Sequence, residues 1–429
     1  MEIAAGKEAF PGVIVKDSVR KMALKTLVAL SGGVDSSTAA FLLKEKGFSP
    51  AALFMRHPFQ RALDSDESER FWRESSEHKN IPVLALGGEP DHRRAFWTPD
   101  LYPMPLDARD ALRVARALDI PFFLFDAEPI FSRVVENWKS EYIAGRTPNP
   151  CVLCNRILKF GALLDLARQY RFDSFATGHY IRRTTSAEWK SAACGFPPWF
   201  DGEPPEAPAV LRGADPAKDQ SYVLYAVRRE NLSMVHFPLA GMKKTEVRRI
   251  AREARLPIAE KRESQDLCFV PAGETPFDFL RRISGPLETE GNFVSRDGTV
   301  MGRHRGYEKY TVGQRKGLGI GFGQRTFVQK IVPLRNEVVL GSYGDLAQTE
   351  VSAVDSNWLA PVPIGTPFRA EVKIRYRSPA VGAEITIRPD RTVSARLDEP
   401  RYGVAPGQSL VCYWQDRLIG GGIIAENRE

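Results

Sequence analysis

The sequence predicts an α/β fold: a parallel-sheet N-terminal domain, then a small central β domain and a C-terminal β-barrel. Between residues 26 and 180, apolar strands alternate with helices, which is the pattern of a parallel sheet covered on both faces. After about residue 270, short alternating runs such as TFVQKIV and GAEITI are separated by Gly, Pro, Asn and Asp, which predicts antiparallel sheet. A chain of 429 residues has room for two or three domains. We expect them at 1–270, 271–345 and 346–429.

The N-terminal elements follow the same alternation in chain order. TLVAL is an apolar strand, and a helix begins at about Asp35 and stops at Gly47. PAALFM then reads as a strand, DARDALRVARAL as a helix, IPFFLFD as a strand and IFSRVVENWKSEYIAG as a helix. RILKFGALLDLARQY follows as a helix and SFATGHY as a strand. Two stretches, 56–105 and 183–210, lack this pattern, and we expect irregular or disordered insertions there.

Composition narrows the class of protein. With 43% hydrophobic and 26% charged residues the chain is of the ordinary globular type, and no apolar run approaches the roughly 18 residues of a membrane helix. The N-terminus mixes Glu2, Glu8 and Asp17 with its lysines, unlike a secretory or transit signal. Five scattered cysteines are not the framework of a secreted protein. We expect a cytoplasmic monomer; its net charge of +7 suits a polyanionic partner or a plain solvated surface.

SGGVDSS, residues 31–37, lies where the first strand meets the first helix. Two adjacent glycines let backbone N–H groups face an anion, Ser31, Ser36 and Ser37 add hydroxyls, and the helix N-terminus adds partial positive charge. No G-x-x-x-x-G-K-[ST] sequence occurs, which argues against a Walker-type NTPase. The pattern predicts a phosphate-binding loop, and the plainer alternative is a Ser/Gly turn that only caps the helix.

This loop resembles that of the PP-loop ATP pyrophosphatases, whose S-G-G-x-D-S motif also joins a strand to a helix. The resemblance implies cleavage of ATP to AMP and pyrophosphate, with adenylation of a carbonyl or carboxylate oxygen. It also implies a role for Asp35 in positioning Mg²⁺ and pyrophosphate, because a loop of N–H donors cannot bind the cation itself.

Seven further stretches resemble one family within that superfamily, the tRNA-specific 2-thiouridylases of the MnmA family. They occur in the family's order from about residue 25 to the C-terminus: GRTPNPCVLCNRILKFG, ATGHY, KDQSY, ESQDLCFVP, GYEKYTVGQRKGLGI, KIRYR and APGQ. The resemblance implies that ATP adenylates O2 of the wobble uridine, position 34 of tRNA, and that sulfur then replaces this oxygen to give 2-thiouridine. It also implies two partners, a tRNA and a persulfide carrier protein that delivers sulfur.

The resemblance assigns site residues by motif. The ATP site comprises Ala29, Leu30, Ser31, Gly32, Gly33, Val34, Asp35, Ser36, Ser37, Met55 and Gly178. The target-base loop comprises Asn149, Pro150 and Cys151. The remaining tRNA contacts are His179, Lys218, Asp219, Gln220, Arg375, Tyr376 and Gln408. Without the resemblance, His179 is as readily a buried structural histidine, and Lys218, Arg375 and Tyr376 are exposed side chains.

The cysteines carry the sulfur chemistry in this interpretation. By motif Cys154 matches the family's nucleophile and Cys268 the cysteine that receives persulfide sulfur, and the pair finishes as a disulfide. Cys151 is a departure, because many relatives carry Asp there, which puts proton transfer at that position in doubt. Together Cys151, Cys154 and Cys268 have the ligand count of a [4Fe–4S] cluster with one open iron. Persulfide chemistry, a cluster and a zinc site are the three alternatives, and no fourth zinc ligand is evident in the sequence.

Two other functions compete with tRNA thiolation. A PP-loop ligase acting on a small molecule shares the phosphate loop but has no need of paired cysteines or a basic barrel. A non-catalytic RNA-binding protein that retains the loop is the other alternative, and AMP release upon tRNA addition excludes it.

Overall fold

The computed structural model describes residues 23–64, 66–67, 81–87, 96–97, 104–184, 188, 197–200, 208–263, 267–271, 273–285, 290–319 and 325–426. Much of both predicted insertions, and Cys194, lie outside these residues. The predicted fold class is confirmed: a mainly parallel sheet is followed by a small β domain and an antiparallel barrel. No helix in the described part of the chain is long and apolar enough to cross a membrane.

The N-terminal sheet has the strand order β4-β3-β5-β2-β1-β6-β9, and every neighbouring pair is parallel except β3 and β4. Its strands are β1 (Lys25–Ala29), β2 (Ser49–Arg56), β3 (Ile81–Leu84), β4 (Phe96–Trp97), β5 (Phe122–Asp126), β6 (Ser174–Ala176) and β9 (Val235–His236); β7 (Ile181–Arg183) and β8 (Val210–Arg212) lie elsewhere. β3 and β4 correct the expectation of irregular structure over 56–105. Four-residue IPVL is too short to show a period, and it becomes a strand by pairing with β5.

The sheet is buried on both faces, as the apolar strands predict. On β1, Leu27 packs into one hydrophobic cluster and Val28 into another, and on β2 Leu53 and Phe54 divide in the same way. Helices supply the covering layers. They are α1 (Val34–Glu45), α2 (Leu106–Ala117), α3 (Glu128–Ile143), α4 (Pro150–Cys154), α5 (Leu163–Gln169), α6 (Lys244–Glu253) and α7 (Pro276–Ser284).

The helix predicted over 156–170 begins earlier than the sequence pattern indicates. α4 passes into a π-helical segment, Asn155–Ala162, and then into α5. Pro150 occupies the first helical turn, where its missing N–H costs nothing, and the Asn149 side chain accepts a hydrogen bond from the Cys151 amide. The double-proline turn therefore starts the helix that carries Cys151 and Cys154.

The central domain is a four-stranded sheet with the order β11-β10-β13-β12. Its strands are β10 (Gly291–Val294), β11 (Val300–His304), β12 (Phe327–Val332) and β13 (Glu337–Gly341). The barrel strands are β14 (Ala347–Trp358), β15 (Phe368–Lys373), β16 (Val381–Ile387), β17 (Val393–Tyr402), β18 (Ser409–Trp414) and β19 (Arg417–Ile424). Pairing of β14 with β19 closes the barrel.

The barrel sheet also takes in two strands from the N-terminal half. β7 and β8 form a hairpin, and β8 pairs with β19. Trp199, from the stretch between them, packs against Phe368 and Trp414 at ring-centroid distances of 4.6 and 5.1 Å. The described ends of the 183–210 stretch are therefore part of the barrel sheet, and most of the irregular insertion expected between them lies outside the described residues. Only the folded barrel supplies the partners that order them.

Candidate active site

The phosphate loop lies at the carboxyl edge of the sheet, beside the point where the chain crosses from one side of β1 to the other. β1 has β2 on one side and β6 on the other, and ligands of open α/β sheets bind at such a crossover. Gly32 has φ +73°, and a Cβ there would lie 2.3 Å from the Asp107 carbonyl oxygen. A Cβ on Gly178, after β6, would lie 2.7 Å from the Ser36 amide nitrogen. Both glycines are needed for the loop, α2 and the ATGHY segment to pack together.

The serine hydroxyls shape the loop. Ser36 and Ser37 Oγ donate to the Gly33 carbonyl at 3.2 and 2.8 Å, and Ser36 Oγ accepts from the Ser31 amide at 3.1 Å. Gly33 is the N-cap residue of α1 and has no side chain to cap the first turn. The first N–H groups of α1 have no acceptor within the helix, so they remain suited to an anion.

Asp35 is the centre of a charged network that its local sequence does not predict. Its Oδ1 accepts from Tyr180 Oη and from Lys244 Nζ, each at 2.7 Å. Lys244 Nζ also lies 2.9 Å from Glu263 Oε1, and Lys218 Nζ lies 2.6 Å from Glu263 Oε2. Burial alone would raise the pKa of Glu263, but Lys244 and Lys218 outweigh it and lower the pKa to about 2. Carboxylates and ammonium groups therefore alternate beside the loop.

Lys261 connects the loop to α2. Its Nζ donates to the Gly32 carbonyl at 3.1 Å and to Asp107 and Asp110 at 2.7 Å each. Burial lowers its pKa, but the two carboxylates raise it by more, so the ammonium form is favoured. The left-handed turn at Gly32 is thus held on the side facing α2.

Tyr180 and Glu263 lie inside the motifs ATGHY and ESQDLCFVP, for which the resemblance assigns roles to other residues. Lys244 lies 209 residues after Asp35 and has no local signal except the polar run KKTEVRR in which it lies. Residue type and spacing cannot pair groups this far apart in the chain.

Met55, assigned to the ATP site by the resemblance, lies on the strand next to β1. Met55, near the end of β2, is half-buried against the core, and its carbonyl accepts from Gln60 Nε2 at 3.2 Å. His57, two residues further on, is buried and stacks on Phe131 at 4.1 Å between ring centroids. Burial, helped by the charge of Arg56, lowers the pKa of His57 to about 4, so this ring is neutral.

The three predicted sulfur-handling thiols lie near one lysine. Cys154 is buried, while Cys151 and Cys268 are exposed to solvent although protein surrounds them on most sides, and all three are free. Burial raises the pKa of each thiol, and the positive charge of Lys159 partly opposes this in every case. The pKa of Cys268 rises to about 12. The resting thiols are therefore protonated at neutral pH, and Lys159 is the neighbouring cation that favours a thiolate.

Alkylation of Cys268 by iodoacetamide should rise about tenfold per pH unit from pH 7 to pH 9, because a pKa of about 12 keeps the thiolate a minor form throughout. Mass spectrometry of the Cys268 peptide gives the rate, and N-acetylcysteine alkylated in parallel is the control. If the Cys268 rate levels off at the same pH as the N-acetylcysteine rate, or at a lower pH, the predicted pKa of Cys268 is wrong.

The predicted metal sites have limited support in the geometry. Among the described residues, no three His, Cys, Asp or Glu side chains gather closely enough to hold a metal ion. Mg²⁺ fits this arrangement, because it commonly takes one or two carboxylates and completes its shell with substrate phosphates and water. Asp35, which lies within the loop, is the carboxylate that the resemblance assigns to this role.

Several predicted tRNA contacts already bind other parts of the protein. His179 is buried, and its Nδ1 shares a hydrogen bond of 2.8 Å with Thr177 Oγ1. Asp219 accepts from the Gly213 and Ser221 amides, and Gln220 Oε1 accepts from the Tyr180 amide at 3.0 Å. These side chains fix the backbone around ATGHY and KDQSY, and their contact with tRNA stays a prediction.

The tRNA contacts predicted in the barrel also interact with other parts of the protein. Arg375 donates to the Val312 carbonyl at 3.1 Å and to the Gly403 carbonyl, which joins the central domain to the barrel. Tyr376 is half-buried, with its ring 6.0 Å from that of Tyr222. Gln408 donates to the Thr147 carbonyl at 2.8 Å. The structure therefore brings Gln408 next to the target-base loop at 149–151.

Comparison with known proteins identifies the family. Three family models match in succession: the tRNA methyl transferase HUP domain over residues 24–81 and 93–272, the tRNA methyl transferase PRC-barrel domain over 277–342, and the Aminomethyltransferase beta-barrel domain over 348–424. The tRNA-specific 2-thiouridylase MnmA of Acidithiobacillus ferrooxidans is 38% identical over 403 residues, which are 93% of this chain and 98% of that protein. The chain belongs to the MnmA family.

Other MnmA proteins match to the same extent. The tRNA-specific 2-thiouridylase MnmA of Geotalea uraniireducens is 37% identical over 412 residues, 96% of each chain. That of Paramagnetospirillum magneticum is 38% identical over 408 residues, 94% of this chain and 96% of its own. The resemblance to MnmA drawn from the motifs is thereby confirmed.

Proposed function

We propose that this chain is an ATP-dependent tRNA uridine 2-sulfurtransferase that converts uridine 34 to 2-thiouridine. One observation carries the proposal: the ATGHY segment joins the two halves of the chemistry. Gly178 packs against the first turn of α1 at the phosphate loop. The positive charge of Lys159 acts to lower the pKa of the next residue, His179, and also the pKa of Cys151, Cys154 and Cys268. This arrangement supports a reaction in which ATP and sulfur meet at one place, as thiolation of a carbonyl carbon requires.

The first half of the reaction makes a leaving group. The uracil O2 attacks the α-phosphorus of ATP, the bond to the β-phosphate oxygen breaks, and pyrophosphate leaves toward the N-terminus of α1. Lys244 neutralises charge on the departing phosphates, and Asp35 would help to hold Mg²⁺, which would supply further neutralisation when bound. Ala29 to Ser37, Met55 and Gly178 are the residues we propose for ATP.

The second half transfers sulfur. The terminal sulfur of a Cys268 persulfide attacks C2 of the adenylated base, and the C2–O bond breaks as AMP leaves. The Cys154 thiolate then attacks Cys268 Sγ, so that sulfur stays on C2 and a Cys154–Cys268 disulfide forms. A cellular dithiol must reduce this disulfide before the next cycle. A persulfide suits the site because it ionises near neutral pH, where the raised pKa of Cys268 leaves little thiolate.

The tRNA and a persulfide carrier protein are the proposed partners. Lys218, Asp219, Gln220, Arg375 and Tyr376 lie around the ATGHY segment and the barrel, where a tRNA backbone would pass on its way to Cys151. The cytoplasmic location and monomeric state expected from the sequence stay predictions.

The proposal is tested with unmodified tRNA, ATP and a persulfide donor. Nucleoside mass spectrometry should show 2-thiouridine, with AMP formed in equal amount, and neither product without tRNA. ATP–pyrophosphate exchange driven by a small amino or carboxylic acid without tRNA would reject the proposal in favour of a small-molecule ligase.

The route taken by sulfur is settled by a separate measurement. The [4Fe–4S] alternative assigns Cys151, Cys154 and Cys268 as ligands, which must all lose their protons. Protein purified without oxygen should contain neither iron nor acid-labile sulfide by the persulfide route. About four of each per chain, lost in Cys151→Ala, would establish the cluster route instead.

A further inference from the structure

A loop of the barrel, residues 406–408, forms hydrogen bonds with the turn from which the helix α4 starts. The Thr147 amide donates to the Pro406 carbonyl at 2.8 Å, and Gln408 Nε2 donates back to the Thr147 carbonyl at 2.8 Å. Gln408 Nε2 also lies 3.5 Å from the Pro148 carbonyl. The contact therefore runs in both directions between segments 261 residues apart in the chain.

The 406–408 loop is itself held in place by backbone hydrogen bonds. The Gly407 amide donates to the Ile424 carbonyl at 2.9 Å, and the Ile424 amide donates to the Gln408 carbonyl at 2.7 Å, so the loop is fixed to β19. Gly407 has φ +87°, and a Cβ there would lie 3.0 Å from the Thr147 amide nitrogen. Directly after this loop, the Ser409 carbonyl accepts a hydrogen bond from Tyr222 Oη at 2.7 Å, which links the KDQSY segment to the same part of the barrel.

The turn at Thr147 and Pro148 leads directly into the candidate active site. Two residues after Thr147, Asn149 caps the helix by accepting from the Cys151 amide at 3.2 Å. Pro148 and Pro150 restrict the backbone on either side of Asn149, so that freedom at Thr147 is passed on to the start of α4. Cys151 and Cys154 both belong to this helix.

We infer that Gln408 is a positioning residue that holds the Cys151–Cys154 helix at the angle its thiols need, so that the barrel controls the sulfur-transfer site. Its catalytic consequence rests on the proposed function, whereas the effect on the thiols does not. The amide group of Gln408 is engaged with Thr147 in the chain without tRNA, so its effect on the turn precedes any contact with RNA.

The test compares Gln408→Met, which keeps the length but removes the amide, with Gln329→Met. Gln329 Nε2 likewise donates to a backbone carbonyl, that of Ser342 at 2.7 Å, but in the central domain. Iodoacetamide labelling is measured peptide by peptide without tRNA. Cys154 should react about five times faster in Gln408→Met, the change expected from losing one neutral hydrogen bond. Cys412, fully buried in the barrel, should keep its rate, as should both thiols in Gln329→Met.

Equal acceleration of Cys154 and Cys412 would mean general destabilisation and would overturn the inference, as would an unchanged Cys154 rate. Gly407→Ala, which presses a methyl group on the turn, is a second variant and should give the same selective change. In thiolation assays, kcat should fall in Gln408→Met with the KM for ATP unchanged. Selective labelling together with no thiolation even by the unmodified chain would reject the proposed function and keep the positioning role.

Discussion

Replacing Cys268 by serine should lower 2-thiouridine formation by at least about 1000-fold, because an alcohol cannot carry persulfide sulfur and no other group replaces a lost nucleophile efficiently. AMP formation and tRNA affinity should persist, since the phosphate loop, Lys244 and Asp35 lie in a separate network. The measurement is nucleoside mass spectrometry of tRNA alongside AMP quantification. A variant that adenylates but does not thiolate would separate the two halves of the reaction.

Cys412→Ala is the matched control for the loss of a thiol. Cys412 is completely buried inside the barrel, away from the three thiols that share Lys159, so its removal should leave the rate of thiolation unchanged. Thiolation at a normal rate by Cys268→Ser would contradict the role of Cys268 as sulfur carrier.

Replacing Lys244 by methionine should lower kcat/KM for ATP by roughly 100-fold, equivalent to about 3 kcal/mol, because it breaks a largely buried ion pair and leaves a carboxylate without its cation. The Lys244 side chain is 11% exposed and contacts both Asp35 and Glu263. Without it, Asp35 repels the phosphates that the loop is shaped to bind, while Glu263 keeps its pairing with Lys218. Steady-state kinetics of tRNA-dependent AMP formation give the effect.

Lys243→Met is the control, since Lys243 is the neighbouring residue but is exposed to solvent. Asp35→Ala should also reduce activity without unfolding the sheet, and the double variant should lose less than the sum of the single losses because the residues share one interaction. Strictly additive losses, or an unaffected kcat/KM in Lys244→Met, would show that this pair does not act on ATP.

Local patterns predict the layered fold well because each strand and helix of the N-terminal domain carries its own period. The failures occur where structure depends on distant partners. IPVL becomes β3 by pairing with β5, and Trp199 is ordered by the barrel ring of Phe368. The π-helical turn after Cys154 has no signal in the spacing of its apolar residues.

In the candidate site, too, residues in local motifs can be predicted, whereas residues brought together from distant parts of the chain cannot. A motif with its own strand, turn and helix, such as SGGVDSS, can be placed from sequence, whereas Lys244 is brought to Asp35 only by the fold. Motif transfer also gives one role to residues that have two possible functions. Gln408 and Arg375 were assigned to tRNA by resemblance, yet in the structure their side chains hold the turn at Thr147 and the joint between domains at Gly403.

The most direct test of the account is transfer of radioactive sulfur from a persulfide-loaded chain to tRNA in a single turnover. Cys268 carrying labelled persulfide should pass its label to uridine 34 only when ATP is present, with one AMP released and one Cys154–Cys268 disulfide formed per sulfur transferred. Transfer without ATP, or labelled tRNA with Cys154 and Cys268 still reduced, would contradict the proposed coupling of the phosphate loop to the thiols.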